Sequence, residues 1–89
     1  MHTAVLPVTA ATRLRRIMTP YPYHATWRLY DKVYILLPGQ LEDIRRQVQA
    51  TWPDLVPLIR TEDMPDGTSI LSVHVRGTIA RVRYVAEAS

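Results

Sequence analysis

Side chains alternate from one face to the other along a β-strand, and residues 25–37 of this chain alternate over their whole length. Ala25, Trp27, Leu29, Val33, Ile35 and Leu37 fall on one side with Asp31 among them; Thr26, Arg28, Tyr30, Lys32, Tyr34 and Leu36 fall on the other. The pattern predicts a strand with one core face and one face carrying cation, aromatic, cation, aromatic in order. Thirteen residues exceed the usual strand length of about 5 to 6, so a bend or bulge is expected near Asp31. A hairpin turning at Asp31 and Lys32 is the rival reading, disfavoured because neither residue readily takes the positive φ of a tight turn.

Pro38 and Gly39 end this segment, and residues 40–52 change to helical periodicity. Leu41, Ile44, Val48 and Trp52 form one stripe, while Glu42, Asp43, Arg45, Arg46, Gln47 and Gln49 fill the opposite side. Acids in the first turn suit the helix dipole, Glu42 and Arg46 stand at i,i+4, and Pro53 stops the helix. Before the long strand, Thr9 caps an expected short helix through Met18, with Ala11, Leu14, Ile17 and Met18 on one side. Residues 21–24, Tyr-Pro-Tyr-His, read as an extended connector.

Residues 55–62 read as a strand that Pro57 pushes toward an edge. Met64 to Gly67 forms a strong turn signal, Leu71, Val73 and Val75 alternate with Ser72, His74 and Arg76, and Gly77 allows a second turn or bulge before a last strand at 78–85. The fold expected is α+β: a small, mostly antiparallel sheet of about four strands, one main helix on one face, and a short N-terminal helix. Trp27, Leu29, Val33, Ile35, Leu71, Val73 and Val75 are the sheet's expected core contributors. One domain spans residues 1–89, without repeats or low-complexity segments.

At 89 residues the chain buries only about 60 to 65% of its unfolded surface, and with no cysteine it has neither disulfides nor thiolate metal sites to reinforce a small core. The longest apolar run, Val33 to Leu37, is far short of the roughly 20 residues of a membrane helix, so no membrane partner is expected. Ala4 to Val8 is too short, and lacks the preceding positive region, to serve as a secretory signal. Together with the absence of cysteine this suggests a cytoplasmic setting.

Charge is uneven. Residues 1–30 carry Arg13, Arg15, Arg16 and Arg28 with no acid, against seven basic and eight acidic residues in the remainder. Cations neutralise phosphates and tyrosine rings stack on unpaired bases, so Arg28, Tyr30, Lys32 and Tyr34 form the leading candidate surface for single-stranded nucleic acid. Arg76, Arg81 and Arg83 extend it if the last strands lie beside the first. The same row is also what an ordinary solvated sheet face carries.

Aromatics and arginine also concentrate at protein interfaces, which makes Arg13, Arg15, Arg16, Tyr21 and Tyr23 a second candidate surface. The alternative function is therefore a protein-binding adaptor or inhibitor, of the kind phages and plasmids encode against host defence. Exposed strand edges, including that of residues 25–37, suggest a homodimer by sheet extension. No enzyme is expected. His2, His24 and His74 are isolated from one another and from any triad spacing, the acids near Glu62, Asp63 and Asp66 read as turn chemistry, and three glycines make no phosphate-cradling loop. No catalytic residue, metal or cofactor is assigned, and no zinc-finger, KH or RNA-recognition signature is present.

Overall fold

The computed structural model describes residues 9–25 and 32–87. Thr26, Trp27, Arg28, Leu29, Tyr30 and Asp31 therefore lie outside the described residues, and with them half of the expected Arg/Tyr row. Helix α1 spans Ala10–Met18 and helix α2 Gln40–Thr51; strands β1 Tyr23–Ala25, β2 Lys32–Leu36, β3 Leu58–Asp63, β4 Ser69–Val75 and β5 Thr78–Ala86 make one sheet in the order β1-β2-β5-β4-β3. The α+β class is as expected. The sheet has five strands, because residues 23–36 contribute two: β1 runs antiparallel to β2, with Tyr23 opposite Tyr34 and Ala25 opposite Lys32. Two antiparallel strands thus replace the single bent strand; Lys32 belongs to β2, and Asp31, the other residue of the rival hairpin reading, lies outside the described residues.

Each boundary has a local cause. Thr9 caps α1, its Oγ1 accepting from the Thr12 backbone N at 3.2 Å. Gly39, at φ 87°, turns the chain into α2 in a conformation glycine adopts without strain, and Gln40 Oε1 accepts from Leu37 N at 2.7 Å across the same corner. The expected i,i+4 pair on α2 is replaced by two i,i+3 pairs, Glu42–Arg45 at 3.4 Å and Asp43–Arg46 at 3.3 Å.

Strands β3, β4 and β5 form the antiparallel run read from the sequence, with β3 at the edge. Strand β2 joins it in parallel: Val33 pairs with Arg83, Tyr34 with Tyr84 and Ile35 with Val85. A parallel connection needs a crossover, and α2 lies within it. Helix α1 makes the close approach to the sheet, lying against β5 and against α2.

The core lies between the helices and one sheet face: Leu14 and Met18 of α1, Ile44 and Val48 of α2, Leu71 and Val73 of β4, Ala80 and Tyr84 of β5, and Tyr34 and Leu36 of β2. This reverses the expected faces of β2. Tyr34 and Leu36, at 6% and 2% exposure, point to the helices, whereas Val33 is buried, and Ile35 half-buried, on the opposite side. Strand β2, interior in the sheet, thus buries residues on both of its faces, in keeping with the continuous apolar run Val33 to Leu37. Among the described residues no helix is long and apolar enough to cross a membrane.

Candidate functional site

Beside α1 the sheet leaves a groove of about 790 Å³. Its apolar lining includes Leu14 of α1 and Ala80 and Val82 of β5, and its polar lining includes Arg15, Lys32, Arg81 and Arg83. Tyr23 and Tyr34 also line it. No acid is among its described lining residues.

Each cation is delivered by a different local geometry. Arg15 stands in the last turn of α1, where the unpaired carbonyls at the helix C-terminus favour positive charge. Lys32 opens β2 with its Nζ 4.5 Å from the Tyr23 ring centroid, and Tyr23 leans on Tyr34 with centroids 5.9 Å apart and planes at 59°. Tyr23 is thereby held between a cation and a core ring while remaining 50% exposed.

Arg81 and Arg83 come from the other side of the sheet. Tyr84 is buried under the helices, so Arg83 and Arg81, at odd spacing from it, share the opposite face with Val33. Both nevertheless line the groove: among the described residues β2 pairs with Arg83–Ala86 of β5, and β5 extends on to Thr78. Cross-strand neighbours extend this second face into rows: Arg60, Ser72 and Arg81 in one, Leu58, His74 and Ile79 in the next.

The structure thus joins six residues that the sequence divides between two surfaces: Lys32, Tyr34, Arg81 and Arg83 from the first, Arg15 and Tyr23 from the second. Tyr34 cannot act as a solvated stacking ring, because its burial against the core leaves 6% of it accessible. Arg13 is bound up in packing: its guanidinium sits 5.7 Å from the Trp52 ring centroid and its Nη1 donates to the Thr51 carbonyl at 3.2 Å, tying α1 to the end of α2. Tyr21 is half-buried, its hydroxyl accepting from Gln47 Nε2 at 3.4 Å. Arg16 is exposed but does not line the groove, and Arg76 stands at the β4–β5 turn beside a second cavity of about 530 Å³ near Trp52. Arg28 and Tyr30 are outside the described residues.

Arg60 escaped the sequence reading. Its period-2 alternation with Leu58 and Glu62 signals a shared face, but its place beside Arg81 follows only from strand order. Among the described residues no group of three or more His, Cys, Asp or Glu side chains converges to hold a metal ion. No protein-family model, curated protein or solved structure matches this chain.

Proposed function

We propose that this chain is a non-catalytic binding domain that takes single-stranded nucleic acid in the groove beside α1. The observation that carries the reading is the lining itself: four cations, Arg15, Lys32, Arg81 and Arg83, with no acid among the described lining residues. Such a surface concentrates phosphate by releasing counterions, and Tyr23 offers one half-exposed ring to a base, a stack worth about 1 to 3 kcal/mol. With Tyr34 in the core, one tyrosine rather than a row of them does the stacking.

The test is a titration of labelled single-stranded RNA and DNA at two salt concentrations, with the wild type and with Arg15→Ala/Lys32→Ala/Arg83→Ala. Wild-type binding in the micromolar range at low salt should weaken steeply as salt rises. Each phosphate contact removed should lower the slope of log K against log salt by about 0.7. A wild type that binds neither polymer, or a folded triple variant that binds equally well, overturns the reading.

A protein partner is the second reading, and one observation favours it: Leu58 and Ile79, each 48% exposed, flank His74 on the sheet face opposite the helices. A patch of aliphatic side chains beside Arg60 and Arg81 has the composition of an interface for an adaptor or inhibitor. Loss of nucleic-acid binding together with capture of a defined protein that Ile79→Asp abolishes would move the assignment there.

A further inference from the structure

We propose that β3 is a self-pairing edge, through which two copies of this chain join antiparallel with Thr61 on the two-fold axis. The groove plays no part in this pairing, so either proposal can fail alone.

The argument begins with which backbone groups of β3 point outward. Met64 N donates to the Thr68 carbonyl at 2.8 Å, one step beyond the Asp63–Ser69 pair. In an antiparallel ladder hydrogen-bonded and non-hydrogen-bonded pairs alternate. Glu62, Arg60 and Leu58 therefore direct their N–H and C=O groups to β4, and Asp63, Thr61 and Ile59 direct theirs away from it. No described strand receives them, since β3 ends the sheet order.

A second β3 can use those groups only in registers that set Ile59, Thr61 and Asp63 against one another. Centring the axis between two copies of Arg60 opposes two guanidiniums, and centring it on Glu62 opposes two carboxylates. Centring it on Thr61 places Arg60 of each copy opposite Glu62 of the other, twice, in the non-hydrogen-bonded pairs where side chains approach most closely. It also sets Thr61 against Thr61, a favourable cross-strand pair, and Leu58 against Met64. Ile59 opposite Asp63 adds nothing, and Asp63 keeps its 2.8 Å bond from Ser69 Oγ.

Every residue of β3 except Ile59 is exposed, and Leu58, 48% exposed, is an apolar side chain that a second copy would cover. The occupant is therefore another β3. Two five-stranded sheets become one continuous sheet with all helices on the same side.

Sedimentation equilibrium at concentrations from one to several hundred micromolar tests this, with circular dichroism confirming that each variant is folded. The wild type should dimerise. Arg60→Glu and Glu62→Arg should each raise the dimer dissociation constant at least tenfold, and the double variant Arg60→Glu/Glu62→Arg should recover most of the loss. A wild type monomeric throughout overturns the proposal. A dimer that both single reversals leave intact, or that the double variant fails to restore, overturns this edge and register.

Discussion

Tyr34 stands opposite Tyr84 in the parallel register of β2 and β5, and each ring is 6% exposed. Both point toward the helices and belong to the same core as Leu14 and Ile44. Neither hydroxyl is a buried polar atom left without a partner, so deleting one forfeits at most an ordinary hydrogen bond. Tyr34→Phe, which removes only the hydroxyl, should accordingly cost no more than about 1.5 kcal/mol. Tyr34→Ala should cost about 3 to 5 kcal/mol, the range for removing a buried aromatic ring. Urea unfolding separates the two, and equal midpoints for Tyr34→Ala and the wild type would exclude Tyr34 from the core.

Burial, and not surface charge, should dominate the energetics of α2. Ile44 is fully buried, so Ile44→Asp places an unpaired carboxylate among apolar side chains at a cost of several kcal/mol, against the roughly 5 to 10 that hold so small a domain together. The variant should be largely unfolded by circular dichroism. Arg46→Ala breaks the 3.3 Å pair with Asp43, but those side chains are 75% and 54% exposed, and such pairs contribute about 0.2 to 1 kcal/mol. Its melting temperature should stay close to that of the wild type.

Elements governed by local rules were legible from the residues: the Thr9 cap, the stripe Leu41, Ile44, Val48 and Trp52, the edge position of β3 after Pro57, and the turn ending at Gly67. What depends on pairing was not. Alternation tells that Tyr34 and Val33 face opposite ways, but which one meets the helices is decided by β5 pairing with β2 in parallel, a contact between residues 50 positions apart. The groove follows the same logic. Arg15 and Arg81 lie on different elements far apart in the chain, and only the approach of α1 to β5 brings them to one cavity.

Asp66 gives the protein a small acid-sensitive feature. Its Oδ1 accepts from Thr68 Oγ1 at 2.6 Å and from Thr68 N at 3.0 Å, and these bonds, the hydroxyl's foremost, hold its pKa below the ordinary 3.8. A carboxylate with a depressed folded-state pKa stabilises the fold above its unfolded pKa, and that contribution disappears as pH falls through the folded value. Thr68→Val deletes the hydroxyl donor and keeps the backbone one. The Asp66 pKa should then rise toward 3.8, read from the carboxyl carbon shift by NMR titration below pH 5. An unmoved titration would mean the hydroxyl bond is not formed in solution.

The β4–β5 connection holds two consecutive residues in left-handed backbone, Arg76 at φ 50° and Gly77 at φ 77°, between Val75 and Thr78, which face each other. Positive φ at both central residues is the signature of the two-residue hairpin turn whose twist matches that of its strands. Only glycine occupies that region freely, so Arg76 carries a conformational cost of roughly 1 to 2 kcal/mol. A Cβ added at Gly77 would meet nothing within 4 Å, which leaves backbone strain as the whole effect of Gly77→Ala. That variant should lose about 1 to 2 kcal/mol, a fall in Tm of roughly 4 to 16 °C in a domain of this size. Arg76→Asn should act in the opposite direction, raising Tm by a few degrees, since asparagine tolerates left-handed backbone better than arginine. Calorimetry on the pair decides it: unchanged melting in Gly77→Ala, or a lower Tm in Arg76→Asn, would show that the turn adopts some other geometry in solution.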